Sequence, residues 1–193
     1  MTFLTWLAAA TAFADDPPAE AASRAFVARP LLGRPVVELR GGVDTFTDQA
    51  VPQICGEVHP LPYLALDACG TGSGWFHQRP SDEMSHYRVE ADLPLLARGR
   101  GEVWLQPGLG FAEVQRGVDA AGFRFGDEVA AGQVEAAGAE GTVSLRGRAW
   151  VHERVFAVAE ANVGLAWIPG APQAVGAAGP AVPSAGITAG LGF

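Results

Sequence analysis

Apolar and polar residues alternate with a period of two along most of this chain, from about residue 34 to its last residue. Eight alternating runs can be recognised, at residues 35–46, 50–60, 63–76, 87–95, 102–114, 141–151, 155–168 and 184–193. This pattern is typical of β-strands, in which successive side chains point to opposite faces. Each run is close to the ~9–11 residues that a tilted strand needs to cross a bilayer. The pattern therefore predicts an all-β protein.

The lengths of the connections predict how these strands are arranged. The connections after the second, fourth and sixth runs are short, at residues 61–62, 98–100 and 152–154. Those after the third, fifth and seventh runs are longer, at residues 77–86, 115–140 and 169–183. Short periplasmic turns that alternate with longer outer loops are typical of outer-membrane barrels. We expect a closed, antiparallel, up-and-down transmembrane β-barrel of about eight strands, with both chain ends in the periplasm.

Charged residues are confined to one face of the predicted strands. We expect this face to form an ionic network in the barrel interior, with these members: Glu38, Arg40, Asp44, Glu57, Asp67, Arg88, Glu90, Asp92, Glu102, Arg146, Arg148 and Glu160. The opposite face carries almost no charge in mid-strand. An Arg or Lys that faces lipid costs roughly 2–4 kcal/mol at the bilayer midplane, so a lipid-facing wall requires this segregation. Alternation alone does not show which face is inside, and a secreted soluble barrel is the alternative.

The N-terminal segment favours export and therefore the membrane orientation. Residues 1–14, MTFLTWLAAATAFA, have an apolar centre and end on Ala-Phe-Ala, which is typical of a signal-peptide cleavage site. The segment has no Lys or Arg near its start, which departs from the usual pattern, and a buried first helix or strand is the alternative. We expect a signal peptide over residues 1–14, a periplasmic linker over 15–33 and the barrel over 34–193.

Composition excludes several classes of protein. The chain has 193 residues, of which 49% are apolar and 18% charged, and 13 Lys and Arg against 21 Asp and Glu give a net charge of -8. We expect no nucleic-acid partner, because binding a phosphate backbone needs clustered cations. The longest uncharged stretch, residues 161–193, contains four prolines and many glycines. It is therefore not expected to form a membrane-spanning helix.

Cys55 and Cys69 are the only cysteines in the sequence. Both lie on the polar face of adjacent predicted strands. A turn centred near Pro62 would place them directly opposite each other, where Cβ atoms lie ~4.5–5.5 Å apart. The periplasm is oxidising, so we expect a disulfide, with two free core cysteines as the alternative.

Residues that could carry chemistry gather in the predicted loop at residues 77–86. They are His77, Ser81, Asp82, Glu83, Ser85 and His86. The two histidines and the acids could approach a metal ion, and the serines supply the residue types of a Ser/His/acid set. No recognisable catalytic motif surrounds them. We therefore expect solvated loop residues, with no metal site, no cofactor and no catalytic site.

The last run resembles the final strand of small outer-membrane barrels of the OmpA/OmpX-like type. It reads AGITAGLGF over residues 185–193, with a terminal Phe and apolar residues at every second position before it. The resemblance implies that Ile187, Ala189, Leu191 and Phe193 form the signal read by the barrel-assembly machinery. It is a resemblance of pattern and architecture over residues 34–193. It implies a bacterial outer-membrane location, with membrane lipid and that machinery as partners.

The expected function follows from this architecture. We expect a non-enzymatic protein with a structural or surface-interaction role through its outer loops, and the extracellular partner stays open. The candidate contact surface is the loop at residues 115–140, which holds Phe123, Arg124 and Phe125. The alternatives are a narrow passive channel for small solutes or cations and a lipid-modifying outer-membrane enzyme.

Overall fold

A computed structural model describes residues 36–46, 49–71, 82–116 and 135–193. The predicted signal peptide and linker lie outside the described residues. The elements follow in this order: β1 Val36–Phe46, β2 Gln49–Leu61, β3 Leu64–Gly70, β4 Asp82–Ala91, β5 Leu93–Arg98, β6 Gly101–Arg116, β7 Glu135–His152, β8 Val155–Trp167, α1 Ala171–Val175 and β9 Ala181–Gly192. In the part of the chain that the structure describes, no helix has the length and apolar character needed to span a membrane.

The strands form one closed antiparallel sheet. Neighbours pair in the order β4-β3-β2-β1-β9-β8-β7-β6, and pairing of β4 with β6 closes the ring. β5 continues the line of β4 along the same partner, β6, so the barrel has eight strand positions. The interruption falls at Asp92, shortly before Pro94, which has no N–H to donate to the sheet. The predicted closed barrel of about eight antiparallel strands is confirmed.

Tight turns connect the strands at one end of the barrel. They join β2 to β3, β5 to β6 and β7 to β8, at residues 62–63, 99–100 and 153–154. These positions differ by at most one residue from the turns predicted from the sequence. Tyr63 and Gly99 adopt positive φ angles of 66° and 60°, which a two-residue hairpin turn requires.

At the other end the strands are longer than the sequence predicted. β6 runs to Arg116 and β7 begins at Glu135, so residues 115–116 and 135–140 are strand, and residues 117–134 lie outside the described residues. The predicted loop 77–86 is shortened in the same way, because β4 begins at Asp82. Two inward positions in these extensions, Met84 and Ala136, are apolar, whereas His86 and Glu140 also face inward. The alternation of charge that marks the other strands is therefore weaker here.

The connection between β8 and β9 packs into the barrel mouth, where the sequence predicted an outer loop over residues 169–183. It contains α1, which ends at Gly176 with a left-handed φ of 72°. The buried side of α1 joins inward residues of the strands in an apolar layer that we call the mouth cluster: Phe46, Met84, Ala112, Val114, Ala136, Ala166, Ile168, Ala171, Ala174, Val175 and Val182. This layer lies across the end of the barrel opposite the tight turns.

A smaller apolar group lies inside the barrel at the tight-turn end. It consists of Val36, Phe156 and Val158, with Trp150 packed against it. The rings of Trp150 and Phe156 are 4.9 Å apart at their centroids. We call this group the inner-end cluster. Charged and polar side chains occupy the interior between the two clusters.

The outer wall is apolar and the interior is ionic. Leu109 is 75% exposed and Ile187 is 65% exposed, whereas Arg40 and Glu90 are buried inside. Trp167 also faces outward and is exposed. The expected orientation, with the apolar face outward, is therefore confirmed. Leu39, Leu109 and Ile187 therefore do not pack into a central core, as they would in a soluble barrel with its apolar face inside.

β1 and β9, the first and last strands, meet very closely at Gly42. A Cβ atom at this position would lie 2.0 Å from the backbone oxygen of Ile187 and 2.7 Å from the Cα of Thr188. Only glycine allows this close approach of the first and last strands.

We expect Gly42→Ala to lower the free energy of unfolding by roughly 1–3 kcal/mol, because backbone atoms must move to admit the methyl group. The measurement is urea unfolding in phospholipid vesicles, followed by the gel shift between folded and boiled protein. Gly56→Ala is the matched control, since its Cβ would meet only Leu39 Cδ2 at 4.0 Å. It should change stability by less than about 0.5 kcal/mol. Equal effects of the two substitutions would contradict the interpretation.

Candidate functional site

The middle layer of the interior is a network of buried ion pairs centred on Arg146. Its guanidinium donates to Glu160, with Nε 2.8 Å from Oε2, and also to Glu57. Two more carboxylates lie close, with Glu38 at 3.5 Å and Glu90 at 3.6 Å. Arg146 is fully buried, and a buried cation is tolerated only when it is paired and hydrogen-bonded.

Arg40 contacts two of the same carboxylates from another strand, three positions from β7 in the barrel. It lies on β1, and its Nη2 atom is 3.0 Å from Glu57 and 2.5 Å from Asp67. Its Nη1 atom binds Glu160. Arg40 and Arg146 therefore share two carboxylates, and together they join strands that are far apart in sequence.

A second group lies between this centre and the inner-end cluster. Arg148 Nη2 binds Glu38 at 2.7 Å, and its guanidinium carbon lies 5.6 Å from the centroid of the Trp104 ring. His59 contacts Glu57 through Nε2 at 2.6 Å and Asp92 through Nδ1 at 3.1 Å. Cation–π and ionic contacts thus hold the part of the network that lies nearest the tight-turn end in place.

A third group lies on the side of the mouth cluster. Arg88 Nε binds Glu140 at 3.1 Å. His86 places Nδ1 2.7 Å from Glu140 and Nε2 3.0 Å from Asp44. Each ring nitrogen of His86 therefore lies beside a carboxylate oxygen from a different strand.

The structure buries eleven of the twelve predicted network residues inside the barrel: Glu38, Arg40, Asp44, Glu57, Asp67, Arg88, Glu90, Asp92, Arg146, Arg148 and Glu160. The twelfth, Glu102, is only half-buried. It lies near the inner-end cluster and accepts hydrogen bonds from the indole nitrogens of Trp104 and Trp150.

Sequence reasoning missed three members of the network, His59, His86 and Glu140. Each has the parity of the inward face of its strand, so the signal was present. His86 and Glu140 were placed in loops because the predicted strands were too short. His59 has the same parity as Glu57 in the second predicted strand, but the sequence does not show that Asp92 lies beside it.

His86 does not lie at the rim, where a grouping for metal or hydrolytic chemistry was considered. This residue is fully buried in the barrel, between Glu140 and Asp44. His77, Ser81 and the side chain of Asp82 lie outside the described residues.

Cys55 and Cys69 are bonded to each other, as the sequence predicted. They pair directly across β2 and β3, with a Cα–Cα distance of 4.1 Å. Both are buried, and they lie on the inward face next to Asp67. The bond ties the second and third strands together beside the ionic network.

We expect removal of this disulfide to lower the free energy of unfolding by about 3 kcal/mol, the value for a closed loop of about 15 residues. The measurement is urea unfolding of the refolded, oxidised protein with and without dithiothreitol. A double variant, Cys55→Ser with Cys69→Ser, should resemble the reduced protein and should not respond to the reductant. Thiol titration first shows that reduction is complete. A urea midpoint that is unchanged after complete reduction would refute this expectation.

Comparison with known proteins identifies the fold. Neither a protein family nor a curated protein matches the sequence. Among solved structures, the chain is similar to the crystal structure of Neisserial surface protein A (NspA), with 13% identity over 82% of this chain and 94% of that chain and a TM-score of 0.52. The fold is that of a small outer-membrane β-barrel.

Two further structures of small barrels match with lower scores. The N-terminal β-barrel domain of Pseudomonas aeruginosa OprF has 14% identity and a TM-score of 0.43, over 82% of this chain and 97% of that one. Ail, the attachment invasion locus protein of Yersinia pestis, was solved in complex with the heparin analogue sucrose octasulfate. It has 9% identity and a TM-score of 0.38, over 82% of this chain and 96% of that one.

An eight-stranded barrel has an interior just wide enough for side chains. Here that interior holds the mouth cluster, the ionic network and the inner-end cluster in succession. Among the described residues, side-chain contacts in each of these three layers join strands to each other.

Proposed function

We propose that this protein is an integral, non-enzymatic barrel of the bacterial outer membrane with a structural or surface-interaction role. The observation that carries the proposal is the filled interior. The mouth cluster covers one end, paired charges occupy the centre and the inner-end cluster occupies the other end. Such a barrel suits anchoring in a membrane better than passage through it.

The outer wall supports the membrane location. Large apolar side chains are exposed along the wall, including Leu39, Leu109, Leu165 and Ile187. Soluble monomers rarely expose large contiguous apolar surfaces, because the contact with water is costly. Lipid removes this cost. The predicted signal peptide and the C-terminal assembly signal favour the same location, with the assembly machinery as a partner during insertion.

The filled interior favours the structural role over the passive channel. The residues that would line a channel are instead engaged with each other, as Arg146 is with Glu57 and Glu160. The lipid-modifying enzyme is not favoured either, because His86 lies inside the barrel and is enclosed by carboxylates. A surface role would act through the outer loops, with Phe123, Arg124 and Phe125 as the candidate contact, and these three residues lie outside the described ranges.

Conductance in planar lipid bilayers tests the closed barrel. We expect the purified, refolded protein to give no steady unitary current, whereas an open porin reconstituted in the same way gives one. A steady current in many independent insertions would favour the channel and overturn the proposal.

Cell fractionation tests the location. We expect the protein in the outer-membrane fraction, with a folded form that migrates differently from the boiled form on a gel. Complete extraction by buffer without detergent would contradict an integral membrane barrel.

A further inference from the structure

We propose that the tight-turn end of this barrel binds anionic phospholipid, of the phosphatidylglycerol type, through Arg98, Arg100 and Arg154. We call these three residues the basic patch. The lipid belongs to the membrane leaflet at this end, which the sequence predicts to face the periplasm. The inference rests on the proposed membrane location and deepens it, because it names the class of lipid that this end of the barrel selects.

Two neighbouring hairpins form the basic patch. Arg98 ends β5, Arg100 lies in the turn between β5 and β6, and Arg154 lies in the turn between β7 and β8. β6 and β7 pair with each other, and the carbonyl oxygen of Arg100 accepts a hydrogen bond from the backbone N–H of Trp150. All three arginines are exposed. The two hairpins therefore present their cations on the same side of the barrel end.

The hairpin of β5 and β6 extends beyond the turn that precedes it in the ring. Among the described strands, β5 pairs with β6 alone. The backbone N–H of Asp92, just before β5, donates to the carbonyl oxygen of Tyr63 in the turn between β2 and β3. β5 therefore begins where that turn lies and continues past it, and all six of its residues are exposed.

This hairpin is apolar near the barrel and cationic at its tip. Leu93, Leu95 and Leu96 are exposed, and Arg98 follows Leu96 by two residues, at most about 7 Å further along the strand. The polar layer on each side of a bilayer is roughly 5–8 Å thick, because ~30 Å of a total of ~40–45 Å is hydrocarbon. With the leucines in the hydrocarbon, the guanidinium of Arg98 lies among the lipid phosphates.

Cations outnumber acids on the exposed surface of these two hairpins. Glu153 is exposed in the same turn as Arg154. Glu102 is half-buried and accepts hydrogen bonds from the indole nitrogens of Trp104 and Trp150, so its carboxylate is directed toward the inner-end cluster. Three exposed arginines therefore stand against one exposed carboxylate on residues 93–104 and 149–156.

This excess of positive charge determines which headgroup the patch prefers. Arginine binds phosphate through a planar set of N–H donors, and cations beside a membrane surface are attracted by anionic lipids. Phosphatidylglycerol has a net negative charge, whereas the ammonium group of phosphatidylethanolamine cancels the charge of its phosphate. We therefore expect the patch to select the anionic lipid over the zwitterionic one.

The test measures which lipid stays bound to the folded barrel. The full chain is refolded in vesicles made of equal amounts of dilauroyl phosphatidylglycerol and dilauroyl phosphatidylethanolamine. It is then extracted with a mild detergent, and native mass spectrometry counts the retained lipids of each kind. We expect the wild-type protein to retain phosphatidylglycerol over phosphatidylethanolamine by about tenfold.

Replacing all three arginines with glutamine, as Arg98→Gln, Arg100→Gln and Arg154→Gln together, should reduce this preference to less than about twofold. Arg116→Gln is a matched control, because Arg116 is exposed at the opposite end of the barrel, across from Asp82. This control should keep the wild-type preference. Glu153→Gln removes the acid beside the patch and should increase the preference.

Two results would overturn the inference. One is wild-type protein that retains the two lipids equally, and the other is a triple variant that keeps the wild-type preference. If the triple variant gives no folded band on the gel, Arg98→Gln and Arg154→Gln alone decide, and each should lower the preference by about two- to threefold. A wild-type chain that does not insert into the vesicles contradicts the proposed membrane role as well, whereas an inserted chain without a lipid preference contradicts the inference alone.

Discussion

Arg146→Leu should lower the free energy of unfolding by about 3–5 kcal/mol. Arg146 is the guanidinium that contacts Glu57 and Glu160 and lies near Glu38 and Glu90. Leucine would leave these carboxylates buried with one cation fewer, and the loss of a partner from a buried ion pair costs more than the pair itself contributes. No other single side chain in the described interior contacts four carboxylates.

The measurement is urea unfolding in phospholipid vesicles, with wild type and variant refolded side by side. Arg154→Leu is the matched control, because Arg154 lies exposed in the turn between β7 and β8. We expect that substitution to change stability by less than about 0.5 kcal/mol. If Arg146→Leu also costs under about 1 kcal/mol, the network does not contribute to stability in the way described.

Leu145→Arg should cost roughly 2–4 kcal/mol when the protein is folded into a bilayer. Leu145 lies in the middle of β7 on the outer wall and is 50% exposed. In a soluble protein an exposed leucine can become arginine within about 0.5 kcal/mol. A large cost at an exposed position is therefore the signature of lipid contact.

The cost is measured against Leu145→Ala, which shortens the same side chain without adding charge. Both variants are unfolded with urea from vesicles of the same composition. Equal stabilities for the arginine and alanine variants would mean that this wall does not face the bilayer interior.

The barrel was predictable because its two faces must meet opposite requirements. Leu39 and Arg40 are adjacent in sequence, yet one is exposed on the wall and the other is buried in the network. A strand that separates lipid from a charged interior needs this contrast at each step, so the period of two is strong. The directly opposed positions of Cys55 and Cys69 followed from the same periodicity and a short turn.

The contrast between the two faces of the strands is weaker near the mouth, and the predicted ends of the strands were wrong there. Met84 and Ala136 face inward but join the mouth cluster, so the pattern that marks a barrel wall is weaker at these positions. The packing of α1 could not be read from its sequence at all. Its short segment, rich in Ala, Pro and Gly, is equally typical of a loop, and only the space inside the mouth determines where it lies.

The membership of the ionic network was largely predictable, whereas its pairing was not. Inward parity identified Arg146 and Glu57, but their contact joins strands on different sides of the barrel. Such contacts depend on the barrel cross-section and on the reach of each side chain. His86 and Glu140 illustrate this limit, because they pair with each other only once both strands are extended toward the mouth.

The apolar layers at the two ends have a consequence for the charges between them. Mobile ions in the surrounding solution weaken the attraction between exposed charges beyond about 8–10 Å at ordinary salt concentrations. Arg40, Arg146 and their carboxylates lie behind the mouth cluster on one side and the inner-end cluster on the other. Dissolved electrolyte therefore screens these contacts much less than exposed ion pairs, and the strength that they give the barrel depends little on the salinity outside it.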